Sequence, residues 1–182
     1  MEPGEAFDSQ TTDDLESSFP VVPEGATSLQ AEGLRALVRN NPGARIISAS
    51  EVQLSEGVVV DFPAAPNDVQ SCPTFWLCLS EHANFGGEQI RFFNCGDENL
   101  GNYRMTNGRN WRDVVSSIRN AQAGSNAQAR FYTFDSSGIT TPSHWKLILG
   151  LNIGSYLRDL SKDTSLEGGN ANDKIDIVHV CG

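Results

Sequence analysis

The sequence predicts a mainly β protein: an antiparallel sandwich over residues 68–182, preceded by a small helix-plus-hairpin unit over 24–67 and an acidic tail over 1–23. Three observations predict it. Beyond residue 68 no long amphipathic helix appears. Instead, short apolar runs at 74–79, 89–93, 114–119, 129–134, 145–149 and 174–181 alternate with Gly, Asn and Ser breakers, as in a sandwich of short strands. All four cysteines fall in that same part, as a disulfide-stapled β domain would place them.

The chain has 182 residues and a formal net charge of −10, room for one ordinary domain or two small ones. Residues 1–23 carry six acids (Glu2, Glu5, Asp8, Asp13, Asp14, Glu16) and no Lys or Arg. With few large apolar side chains to offset its ordering entropy, this stretch reads as a disordered, solubilising tail. The acidic balance repels phosphate backbones and anionic lipid, so neither nucleic acid nor a membrane surface is an expected partner. No run reaches the roughly 18 apolar residues of a membrane span, and no basic-then-apolar leader precedes a small-residue cleavage site, so a soluble chain is expected.

In the leader unit, Thr27 followed by Gln30 matches a capping box, and Leu34, Leu37 and Val38 form the apolar stripe of a helix. Asn40-Asn41-Pro42-Gly43 should stop it. Runs at 45–54 and 58–62 around Ser55-Glu56-Gly57 read as a hairpin. The prolines of 63–67 suggest a stiff connector ending near residue 68. In the sandwich, Phe75, Leu77 and Leu79 share one face of their strand, as do Val178 and Val180, and these are the expected core.

Cys72, Cys78, Cys95 and Cys181 lie six, seventeen and eighty-six residues apart, without the clustered spacing of a zinc site. An even number in one segment points to disulfides and an oxidising compartment. Of three possible connectivities we favour Cys78 with Cys95 and Cys72 with Cys181. The second would staple the domain's ends and contribute on the order of 4 kcal/mol. Catalysis is not expected: His82, His144 and His179 are isolated, and there is no HExxH, GxSxG or P-loop. His82 is expected on the surface and His179 on an edge strand. Glu81 and Glu88, on either side of a turn, read as solvated carboxylates.

The most informative stretch runs from Leu77 to Phe92, a strand entering a tight fold in which Gly87 is free to take positive φ and Phe85 lies over the turn. It resembles the signature hairpin of a βγ-crystallin Greek-key motif, with Glu81, Phe85, Gly87 and Phe92 in matching places and Ser80 where the family usually has an aromatic. Asp113-Val114-Val115-Ser116-Ser117 resembles the second half of that motif, with Arg112 replacing its first acid or amide. A second copy is degraded. Phe134-Asp135 begins it, Ile139 and Thr141 stand where phenylalanine and glycine would, and Asn172-Asp173-Lys174-Ile175-Asp176 supplies its latter half, with Asp176 in place of Ser or Thr. The whole arrangement resembles bacterial secreted proteins grouped with a metalloproteinase-inhibitor family that shares the crystallin fold.

The resemblance implies a βγ-crystallin-like Greek-key sandwich in an exported, non-enzymatic module that is expected to be monomeric. It also implies Ca2+ held by side-chain oxygens, with Asp113 and Ser116 in one loop and Asp173 and Asp176 in the other, and stability that depends on the ion. The alternative it implies is an inhibitor of metalloproteases, with a metalloprotease or another extracellular protein as partner. Inhibition by a rigid loop needs preorganisation more than special chemistry, and loops 94–110 and 136–143 are the candidates.

Overall fold

The computed structural model describes residues 20–124, 127–137 and 139–181, so most of the expected acidic tail, residues 1–19, lies outside the described residues. Helix α1 (Ser28–Asn40) starts at the expected box: the Gln30 N–H donates to Thr27 Oγ1 at 3.2 Å and the Thr27 N–H to Gln30 Oε1 at 3.0 Å. Leu34 and Leu37 point into the core. Gly33 lets the helix lie directly on the Phe62 ring, where a Cβ would come within 2.7 Å of a ring carbon.

The hairpin runs as β1 (Arg45–Ile46), β2 (Glu51–Ser55) and β3 (Val58–Asp61). The first half of the sandwich follows as β4 (Leu77–His82), β5 (Gly86–Phe92), β6 (Gly96–Asn99) and β7 (Ser117–Asn120). The second half is β8 (Ala129–Phe134), β9 (Trp145–Leu151), β10 (Tyr156–Leu157) and β11 (Ile177–Val180). One sheet has the order β1-β2-β3-β5-β4-β7-β10, the other β6-β11-β8-β9, and every pairing is antiparallel. Each four-strand motif thus lends its third strand, β6 or β10, to the other motif's sheet. This interlocked pair of Greek keys is the architecture the resemblance implies.

The leader hairpin is continuous with the first sheet, because β3 pairs with β5 from Val58↔Phe92 to Asp61↔Gln89. Leu34, Leu37, Val58 and Val60 join Leu77, Leu79, Ile90, Phe92, Trp111, Phe131, Val178 and Val180 in one apolar cluster. On the other face of that sheet the Arg91 guanidinium bridges Asp61 and Glu51, which ties β5 to β3 and β2.

Leu77, Leu79, Val178 and Val180 are core, as expected, but Phe75 is 56% exposed. The strand begins at Leu77, and a turn just before it breaks the alternation that placed Phe75 inside. The disulfides also differ from the favoured pairing: they are Cys72–Cys78 and Cys95–Cys181. The β6–β11 ladder, with Val180 opposite Gly96, sets Cys181 beside Cys95 at a Cα–Cα distance of 5.1 Å, whereas Cys78 lies within the other sheet between Arg91 and Arg119. His179 is not on an edge, since β11 is flanked by β6 and β8.

Candidate functional site

The signature hairpin is closed by its own side chains. The Ser117 hydroxyl donates to the His82 carbonyl at 2.6 Å and accepts the Phe85 N–H at 2.9 Å, which pins the fold over a fully buried Phe85 ring. Gly87 has φ +76°, and a Cβ there would meet Glu81 Oε2 at 2.8 Å. Glu81 caps the returning strand by accepting the Glu88 N–H. Glu88 itself is not solvated: it is 4% exposed, and burial pushes its carboxyl up to about 7.

Loop 94–110, one of the two expected presenting loops, is mostly structure. It contains β6, a 3-10 turn at Leu100–Asn102 and the buried Leu100 and Met105. What projects is a tight turn closed by Arg104↔Asn110 pairing, by the Met105 N–H on the Arg109 carbonyl (2.8 Å) and by the Gly108 N–H on the Met105 carbonyl (3.0 Å). Its N-terminal shoulder, residues 104–106, is held from two other elements. From the end of α1, Asn40 Nδ2 donates to the carbonyls of Met105 (2.9 Å) and Thr106 (3.0 Å), while Asn41 donates to the Arg104 carbonyl and accepts its N–H, both at 2.8 Å. From β5, the Glu88 carboxylate accepts the Thr106 N–H and hydroxyl. Asn107, Gly108 and Arg109 are left exposed at its tip. Sequence reasoning missed this clamp: the two asparagines read only as a helix stop, and their alignment with residues 104–106, over sixty positions away, leaves no local signal.

The residues expected to hold Ca2+ are distributed differently from that expectation. Asp113 (φ +54°) and Asp173 (φ +52°) are exposed at equivalent places in the two motifs, each loop bonding to the other: the Asp113 N–H to the Ile175 carbonyl, the Asp173 N–H to the Val115 carbonyl. Although Asp113 is exposed at the surface, partial desolvation by its surroundings, then repulsion from Asp176, raises its carboxyl above its ordinary range. Asp176, however, is buried and engaged. It accepts from the Thr133 hydroxyl (3.0 Å) and the Phe134 N–H (2.9 Å), with the Arg112 guanidinium 3.9 Å away. Arg112 is in turn fixed by Asn99 Oδ1 (2.8 Å) and lies 4.8 Å over the Phe134 ring. Ser116 is half-buried, its N–H on the Ser80 carbonyl. Among the described residues no group of three or more His, Cys, Asp or Glu converges as a cation site, and the cation beside Asp176 is Arg112.

The histidines each face a carboxylate: His82 faces Glu81, His144 faces Asp135 and His179 faces Asp97. At loop 136–143 this gathers Asp135, Ser137 and His144, but both Asp135 Oδ2 (2.7 Å) and Ser137 Oγ (3.2 Å) meet the same ring nitrogen, Nδ1. A relay needs the acid and the nucleophile on opposite ring nitrogens, so this cluster is a loop brace. The Ser137 hydroxyl, then His144, pulls the Asp135 carboxyl down to about 2.

The strand exchange and the signature hairpin define a βγ-crystallin-type Greek-key domain. Residues 65–140, which contain the Cys72–Cys78 ring, the hairpin and the clamped turn, match the family model described as peptidase inhibitor family I36, in agreement with the resemblance read from the sequence. Among curated proteins none matches the chain. Two solved structures are similar. One, described as "Evolution of the eye lens beta-gamma-crystallin domain fold", is 21% identical, with a TM-score of 0.41, over 68% of this chain and 95% of that one. The other is the NMR structure of spherulin 3a from Physarum polycephalum, 23% identical, with a TM-score of 0.39, over 63% of this chain and 90% of that one.

Proposed function

We propose that the protein is an exported, non-catalytic peptidase inhibitor that inserts the turn at 104–110 into the cleft of its target. The clamp on that turn carries the reading: two side chains at the end of α1 and one carboxylate on β5 fix residues 104–106 while Asn107, Gly108 and Arg109 are exposed at the tip. Binding a cleft with a mobile loop costs about 0.5–1.5 kcal/mol for each side chain that must be ordered, and a clamp removes much of that cost beforehand. The match of residues 65–140 to a peptidase-inhibitor family supports the same reading. The two disulfides support export to an oxidising compartment.

The test is to titrate a thermolysin-like metallopeptidase with the full chain and with Asn41→Ala. Inhibition by the wild type, weakened about tenfold or more in the variant, is expected. No loss of peptidase activity at micromolar excess of the wild type removes the reading.

A further inference from the structure

We propose that the Cys72–Cys78 ring is a second recognition element, one that places the Phe75 side chain in the aromatic-accepting specificity pocket of a peptidase. The proposal rests on the inhibitor reading but on a different part of the surface. The Trp76 N–H closes on the Pro73 carbonyl at 3.2 Å, which makes Phe75 the third residue of a four-residue turn, and its φ is +77°. That position in such a turn belongs to glycine or asparagine. A bulky aromatic there is a backbone outlier, tolerated only where the surroundings enforce it.

The surroundings do enforce it. The disulfide joins Cys72 to the buried Cys78, with Cα atoms 5.8 Å apart. The Phe75 N–H bonds the Ala121 carbonyl at 2.7 Å, and the Ala121 N–H bonds the Trp76 carbonyl at 2.9 Å. The neighbouring ring is accounted for by packing, because Trp76 lies 5.3 Å from Phe93 and 4.9 Å from the Arg91 guanidinium. Phe75 joins no aromatic pair among the described residues and stays 56% exposed. The other phenylalanine at positive φ, Phe85 (+65°), is buried as the plug of its own hairpin, whereas Phe75 is left in the open. An aromatic held outward under strain fits a contact made with another molecule.

The shape of this surface selects the occupant. Phe75 and Phe93 are each about half exposed, which for rings that bury 150–250 Å² offers roughly 200 Å² in all. A second copy meeting it face to face would need about 800 Å² per partner. A pocket that encloses a single aromatic side chain needs no such area, and the apolar specificity slot of a chymotrypsin-like peptidase is such a pocket. Arg119, across the ladder from Cys78, is taken up by packing in the same way as Trp76, its guanidinium lying 4.3 Å over the Phe85 ring, so the exposed part of this surface is the aromatic one.

The experiment compares the wild type, Phe75→Gly and the control Leu166→Ser as inhibitors of chymotrypsin and of a thermolysin-like metallopeptidase, alongside melting curves. Glycine suits the φ, so Phe75→Gly should melt at or above the wild-type temperature, yet inhibit chymotrypsin roughly tenfold more weakly or worse. Leu166→Ser removes an even more exposed apolar side chain elsewhere and should inhibit chymotrypsin as the wild type does. The proposal is overturned if Phe75→Gly inhibits chymotrypsin as well as the wild type, if the wild type leaves chymotrypsin fully active at micromolar excess, or if Phe75→Gly melts far below it. Metallopeptidase inhibition that falls with Asn41→Ala but not with Phe75→Gly, without inhibition of chymotrypsin, overturns this element and leaves the clamped turn standing.

Discussion

Glu88 couples the crystallin hairpin to the clamped turn, and its burial makes the coupling sensitive to pH. Burial is the main cause of its raised carboxyl, repulsion from Glu81 adds to it, and the Thr106 bonds oppose it. A carboxyl at about 7 in the folded chain and near 4.5 in the unfolded one makes the folded state hold the extra proton between those values. Its stabilising contribution is therefore complete below about pH 4.5 and is lost as pH rises through about 7. On the order of 3 kcal/mol is at stake. Glu88→Gln keeps an oxygen for the Thr106 N–H and does not titrate, so its melting temperature should fall less than the wild type's between about pH 5 and 8. Equal slopes would show that Glu88 does not titrate in this window. Glu88 was illegible in the sequence because the same tight turn that is easy to recognise gives no sign of what lies against its far side. Phe75 was misread for a related reason: strand alternation was carried two residues past the point where the backbone turns.

Elements defined by neighbouring residues were legible, and elements defined by distant ones were not. The capping box of α1 and the Glu81–Phe85–Gly87 hairpin are complete within a few residues, and both stand where the sequence placed them. β6 (Gly-Asp-Glu-Asn) and the two-residue β10 carry no apolar alternation, because each lies at or near a sheet edge and is specified by its partner strand. The loops expected to share Ca2+ do lie together, but the charged side chain beside Asp176 is Arg112, where the second half of the motif departs from the family pattern. Its guanidinium is fixed by Asn99 and Phe134 and sets a positive charge beside the Asp176 carboxylate. Melting curves in chelator and in millimolar calcium should therefore superimpose. A clear rise in melting temperature with calcium would restore the calcium reading.

At the scale of the whole molecule, the two motifs hold each other by exchanging strands, and the leader unit completes the first sheet as well as the clamp. Cys95–Cys181 closes an 86-residue loop across the second sheet and contributes about 4–5 kcal/mol by chain entropy, against about 2 kcal/mol for the Cys72–Cys78 ring. The disulfide pairing could not be read from spacing because it follows from the crossing of β6, a topological event with no sequence period. The leader's part in the fold can be measured. A chain beginning at Ala64 lacks Leu34, Leu37, Val58 and Val60, each essentially buried, and at about 1.5–3 kcal/mol apiece their loss removes roughly 6–12 kcal/mol. That is comparable to the entire stability of an ordinary domain, about 5–15 kcal/mol. It also strips β5 of one of its two ladder partners, β3, and leaves Arg91 without Asp61 and Glu51. Such a chain should show no cooperative thermal transition near that of the full-length protein, with both disulfides formed in each. A shortened chain that melts cooperatively within a few degrees of the full-length one would mean that the Greek-key pair is stable alone and that the leader serves only to hold the turn at 104–110.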